Sequence, residues 1–179
     1  MPRVSNSLTV LGMIGLLGAA ASALGAVPGH FPENQRTIDS PDKKYSIYNK
    51  DSDQEPNHSL YIRRHAPEAQ QKILDYGRHV DVMWSPESNA FFVNDYSGSS
   101  EATCLVFFAD GLRRLDVKDL LSKIHEEEIL SSDHLYVTCK KWTKERIEVS
   151  VSGRGDKYPN GFDRKFILNP RKQELRQVG

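Results

Sequence analysis

The sequence predicts a mainly β domain of antiparallel, blade-like meanders, about three of them, forming a twisted sheet assembly or a sandwich, with one amphipathic helix near residues 117–129. Three observations predict it. From His79 to Leu115 extended apolar runs are cut at Ser85-Pro86, at Tyr96-Ser-Gly-Ser-Ser100 and at Asp110-Gly111, the alternation of short strands and turn chemistry that makes a four-stranded meander. Ser40-Pro-Asp-Lys-Lys-Tyr-Ser-Ile-Tyr48 repeats the plan of Ser85-Pro-Glu-Ser-Asn-Ala-Phe-Phe-Val93, and Trp142-Thr-Lys-Glu-Arg-Ile-Glu-Val149 echoes it more faintly, at spacings of about 45 and about 57 residues. Helical periodicity shows convincingly in one place, where Val117, Leu120, Leu121 and Ile124 recur at i, i+3, i+4 and i+7 behind Asp116, a residue type that caps helix N-termini.

In chain order, residues 1–26 read as a secretory signal peptide. A short head carrying Arg3 precedes an uncharged run rich in Gly, Ala and Leu, then the small residues Ala21-Ser22-Ala23, with cleavage expected after Ala23 or Ala26. The run is shorter and less apolar than a stable membrane span of about 20 residues. Residues 27–36 hold two prolines, a glycine and few apolar side chains, and are expected to be a flexible lead-in. Residues 37–179 form a single β-rich domain of ordinary size. A turn followed by a strand is expected within 38–48, and the next strands at 60–62 and 72–74, then through the central meander. After the helix they follow at 134–142, at Arg146-Ile-Glu-Val-Ser-Val-Ser152 in strict alternation, at 165–168 and at 174–178. Asp156-Lys-Tyr-Pro-Asn-Gly161 and Asn169-Pro170 supply turns.

Charge and cysteine usage narrow the function classes. A formal net charge of +0 gives no electrostatic reason to expect nucleic acid, and export argues against it independently. Cys104 and Cys139 both lie in apolar strand-like runs, and period-2 alternation turns both inward. An oxidising compartment makes a Cys104–Cys139 disulfide one outcome and two inert buried thiols the other.

The phrase Val82-Met-Trp-Ser-Pro-Glu-Ser-Asn-Ala-Phe-Phe-Val93 resembles the Trp-Ser-Pro-Asp signature of β-propeller repeats of the TolB-like, WD-type and prolyl-oligopeptidase kinds. The resemblance implies that the Ser-Pro turn joins two strands of one blade and that the Trp packs between neighbouring blades. Propellers usually close with at least four blades, whereas about three fit here, so an open assembly is expected. The repeat implies a fold and no active site.

A search for chemistry returns little. No Gly-x-Ser-x-Gly elbow is present to expose a nucleophile, and no His-Glu-x-x-His or Cys-x-x-Cys spacing supports a metal, so neither catalytic residues, metal nor cofactor are expected. The turn Asn94-Asp-Tyr-Ser-Gly-Ser-Ser-Glu101 concentrates amide, carboxylate and hydroxyl groups on a rigid sheet, which makes Asn94, Asp95, Tyr96, Ser99 and Glu101 the candidate ligand- or partner-binding residues. The leading expectation is a non-enzymatic binding module, secreted or periplasmic in a bacterial envelope, whose partner is an unidentified protein or envelope component. The alternatives are a small hydrolase or glycan-acting enzyme using acids near Asp81, Asp95 and Glu101, and a secreted enzyme inhibitor presenting the loops 51–57 and 156–161.

Overall fold

The structure, a computed structural model, describes residues 28–32, 37–54, 57–124 and 127–179. The expected leader over 1–26 lies outside them. Among the described residues no helix is long and apolar enough to cross a membrane.

Three four-stranded antiparallel meanders follow one another. The first is β2 (Thr37–Asp39), β3 (Tyr45–Asp51), β4 (His58–Arg64) and β5 (Ala69–Tyr76), a sheet of its own. The second is β6 (His79–Trp84), β7 (Ala90–Tyr96), β8 (Glu101–Phe108) and β9 (Arg113–Asp116). The third is β10 (His134–Thr143), β11 (Arg146–Gly155), β12 (Tyr158–Asn169) and β13 (Glu174–Val178). The second and third touch along a short parallel pairing, Glu101 with Leu135 and Ala102 with Tyr136. The mainly β architecture and the open, blade-like sheets are therefore as the sequence predicts.

The repeated turns are built alike. Ser40 and Ser85 each donate a backbone N–H to the carbonyl five residues on, Tyr45 at 2.9 Å and Ala90 at 2.8 Å, and each hydroxyl accepts the returning N–H at 3.1 and 3.2 Å. The fourth residue of each turn, Lys43 and Ser88, takes a left-handed φ of 58° and 61°. The Asp42 N–H reaches the Ser88 hydroxyl at 2.9 Å and joins the two turns. The third blade tightens the connection to Lys144-Glu145, with Thr143 opposite Arg146 and Lys144 at φ 57°, which is why its sequence echo is faint. Trp84 donates its indole N–H to the Ile38 carbonyl of the first blade at 3.2 Å, and Trp142 donates to the Met83 carbonyl of the second at the same distance. Ile38 and Met83 each stand two residues before the turn serine, so the two tryptophans perform one repeated inter-blade contact.

The middle blade is covered on both faces, and this accounts for the unbroken apolar run at Ala90-Phe-Phe-Val93. Val80, Val82, Trp84, Phe91, Val93, Leu105 and Phe107 face the first blade's Ile47, Leu60, Ile62 and Tyr76. Met83, Phe92, Cys104 and Val106 face the third blade's Val137, Cys139, Val149, Val151, Phe166 and Leu168. Across this second interface Cys104 and Cys139 are disulfide-bonded, with Cα atoms 5.7 Å apart. The outer faces of the end blades are polar. On the first, Tyr48 and Tyr61 stack at 5.7 Å, with Lys50 4.4 Å over the Tyr61 ring and Arg63 5.0 Å over Tyr48. On the third, Lys141 pairs with Glu148 at 3.1 Å. Solvated outer faces are what terminal repeats of a stacked assembly require.

Three expectations need correction. The turn expected over 156–161 is confined to Asp156 and Lys157, because β12 already begins at Tyr158, paired with Gly155. Within the lead-in expected over 27–36, residues Gly29–Phe31 form β1, antiparallel to β6, because Phe31 finds a fully buried place between the first two blades. The single helix expected over 117–129 is two short ones, α1 (Val117–Lys123) and α2 (Glu127–Leu130). Asp116 caps α1 by accepting from the Lys118 N–H at 2.9 Å, and Val117, Leu120 and Leu121 are buried. Ile124, the fourth residue of the predicted stripe, leaves the helical conformation and is exposed, while Ile129 of α2 enters the core instead.

Candidate functional site

The turn between β7 and β8 lies at the end of the sheets where β3, β5, β9 and β11 finish, and pairing to two blades holds it in place. Register sets Asn94 opposite both Asp81 and Cys104, and Asp95 opposite Val80 and Thr103. Because successive residues alternate between faces, Asn94 and Tyr96 point toward the third blade's side of the sheet and Asp95 toward the first. Asn94 is buried. Its Nδ2 donates to the Cys139 carbonyl at 2.9 Å and its Oδ1 accepts the Cys139 N–H at 2.8 Å, so the side-chain amide acts as a piece of β-ladder between the blades, beside the disulfide. Asn94 thus builds the base of the turn rather than its surface.

Beyond it the turn is tied down again. The Ser100 carbonyl accepts the Leu135 N–H at 3.0 Å, and the Ser99 carbonyl accepts the Tyr136 hydroxyl at 2.6 Å. Glu101 accepts from the Ser97 hydroxyl at 3.0 Å and meets the Lys118 ammonium at 3.5 Å. Ser97, Ser99 and Glu101 are exposed on this rigid frame.

Asp95 and Tyr96 lead to two different neighbourhoods. One carboxylate oxygen of Asp95 is buried without a hydrogen-bond partner. Burial, then the charge of Glu101, pushes its carboxyl above the usual range. On the other face the Tyr96 ring stacks on His79 at 4.4 Å, His79 lies 5.0 Å from His30, and His30 Nδ1 meets Asp81 at 2.8 Å. Burial and the Asp81 carboxylate raise the Tyr96 hydroxyl to about 12. Burial, with help from His30, lowers His79. Asp81 and Asp95 therefore occupy opposite faces of one sheet and do not converge on a common point. Among the described residues no three His, Cys, Asp or Glu side chains gather as metal ligands would.

Next to the turn, on the third blade, lies a depression of about 510 Å³ lined by Ser99, His134, Tyr136, Ser152, Arg154, Pro159, Asn160 and Phe162 with Gly153 and Gly161. His134 is paired with Arg154 and Tyr136 with Ser152 across β10 and β11, so these four side chains share one face. Glycine makes the closeness of the strands tolerable: a Cβ at 153 would collide with the His134 carbonyl, and Gly161 sits at φ +80° with the Gly153 carbonyl against it. From the sequence this place is named only at Ser99 and, as an inhibitor's contact, at the 156–161 loop; His134, Tyr136, Ser152 and Arg154 escape it because only strand register brings them together. The glycines at 153, 155 and 161 were its visible signal.

No protein-family model matches the chain, and no curated protein matches it. Solved structures do. The β-propeller domain of the Trilobed protease from Pyrococcus furiosus, which has an open velcro topology, superposes with a TM-score of 0.55 at 12% identity, over 81% of this chain and 43% of that one. A prolyl endopeptidase superposes with a TM-score of 0.52 at 13% identity, over 80% of this chain and 21% of that one. The chain thus spans less than half the length of either. At these identities the likeness is one of fold: this is a propeller-like assembly, partial and open.

Proposed function

We propose that the chain is an exported, non-enzymatic binding module of the bacterial cell envelope or exterior, built from repeats of the TolB-like kind, which holds a protein or envelope component at the 97–101 turn and the depression beside it. The observation that carries the proposal is the construction of that turn. A fixed base at Asn94, Ser99 and Ser100 carries exposed Ser97, Ser99 and Glu101, and recognition favours loops held on a rigid scaffold because little entropy is lost on binding. The Cys104–Cys139 bridge supports export, since disulfides persist in oxidising compartments. A propeller-like fold is compatible with binding as its sole task.

The test is chemical crosslinking of the whole exported protein in its native envelope. One reproducible partner, lost when Ser99 and Glu101 are replaced together by Ala and Lys, is expected. No reproducible partner would overturn the proposal.

One observation favours the hydrolytic alternative in reduced form. Asp95, with its raised carboxyl, and Glu101 lie on the same side of the sheet, whereas Asp81 cannot join them. If Asp95→Asn and Glu101→Gln leave every detectable glycoside or ester turnover by the protein unchanged, the alternative is dropped.

A further inference from the structure

The depression on the third blade is furnished almost entirely with donors. Arg154 offers a guanidinium, Asn160 an amide, Ser152 a hydroxyl and His134 an imidazole, while the Tyr136 hydroxyl is already committed to the Ser99 carbonyl at 2.6 Å. No carboxylate lines the space: Asp133 and Asp156, the acids nearest in sequence to His134 and Arg154, are not among its lining residues. Nor, among the described residues, does any acid form a salt bridge with Arg154. An arginine with its fork unengaged, set across two strands from an imidazole and flanked by neutral donors, is matched by a planar anion with two acceptor oxygens. Phe162, Pro159 and the Tyr136 ring supply an apolar wall beside it.

We propose that this depression binds the carboxylate of a peptide segment, with the guanidinium of Arg154 gripping the two oxygens, His134, Ser152 and Asn160 donating to them, and the adjoining apolar side chain lying against Phe162 and Pro159. A carboxylate suits the site better than a phosphate because the donors lie along one open wall rather than enclosing three oxygens. The volume admits a few residues of extended chain and the side is open, so the peptide continues out of it past Ser99. The inference rests on the binding role given above and names its ligand.

The carboxylate can come from an acidic side chain or from a chain terminus, and the test separates them. Two probes are titrated into the isotopically labelled exported protein: N-acetyl-leucine, which presents a terminal carboxylate beside an apolar side chain, and N-acetyl-glutamate α-amide, which carries one Glu side-chain carboxylate with both backbone ends blocked. Amide shifts are followed by NMR, which reads millimolar affinities. Saturable shifts confined to residues 99, 134–136, 152–155 and 159–162 are expected with at least one probe, and inorganic phosphate at equal ionic strength should shift them less. Arg154→Gln, at an exposed position, should weaken binding about ten-fold or more with the thermal midpoint unchanged, and Asn160→Asp should weaken it by placing a like charge in the wall. Binding unchanged in both variants, shifts scattered over the surface, or tighter binding of phosphate would overturn the assignment. Envelope crosslinking through Ser99 that survives Arg154→Gln would sink the carboxylate site alone and leave the binding role standing.

Discussion

Replacing Asn94 by Ala should be among the most damaging single changes in the chain, although the residue is polar and sits at the edge of a turn. Its amide satisfies both the N–H and the C=O of Cys139, at 2.8 and 2.9 Å, in a place where Asn94 and Cys139 are nearly inaccessible to solvent. Truncation orphans two buried backbone groups, each of which costs about 1–3 kcal/mol. The expected loss is about 4 kcal/mol, a large share of the roughly 5–15 kcal/mol that domains of this kind possess. Urea unfolding followed by tryptophan fluorescence measures it, because Trp142 contacts the same interface. Hydrogen exchange at the Cys139 amide should accelerate in step. Asn94→Asp retains the acceptor for the Cys139 N–H but sets a carboxylate oxygen against the Cys139 carbonyl. Its folded pKa is thereby raised, and its stability should improve as the pH falls, when the carboxyl can donate. A loss below about 1 kcal/mol in Asn94→Ala, with Cys139 exchange unchanged, would refute the idea that this amide couples the blades.

Replacing Cys104 and Cys139 together by Ser should lower stability by about 4 kcal/mol in the chain-entropy account, given their separation of 35 residues, as checked by denaturant unfolding with and without reductant. Trp84→Phe should cost about 1–3 kcal/mol by orphaning the Ile38 carbonyl, and Trp142→Phe should cost less, since Trp142 is only partly buried; calorimetry compares the two. Asp95 has a folded pKa above its reference of 3.8, so its contribution is complete at pH below that value and is lost as the pH rises through the raised folded value. Asp95→Asn should therefore raise the thermal midpoint at pH 7 and leave it unchanged near pH 3. His79 has the opposite sign: its lowered pKa makes a contribution that is present above pH 6.5 and is lost as the pH falls through the folded value, a decline that His79→Gln should flatten.

Much of the fold was legible because each repeated device rests on local chemistry. Ser40 and Ser85 announce their turns through hydroxyls that accept a backbone N–H a few residues away, and Trp84 and Trp142 mark where one blade meets the next. Where local signals were short or non-local they failed. The three residues of β1 carry no alternation that a reader could weigh, and Phe31 alone hinted at burial. The end of α1 escaped because Ile124 keeps the apolar spacing after the backbone has already left the helix. Of the candidate site, Ser99 and Glu101 stand exposed on the predicted turn. Asn94 turned inward because register places it opposite Cys104, on the face covered by the third blade, and a polar residue after Phe91-Phe-Val93 gives no sign of which partner awaits it. The depression depended wholly on the pairing of β10, β11 and β12.

The most direct test of the binding role is a photo-crosslinking amino acid placed at Ser99 and, as a control, at Lys172, exposed in the turn between β12 and β13 at the far end of the third blade. In the native envelope, the Ser99 position should yield one dominant crosslinked species that Lys172 does not. Equal labelling at both positions, or none at Ser99, would contradict the account.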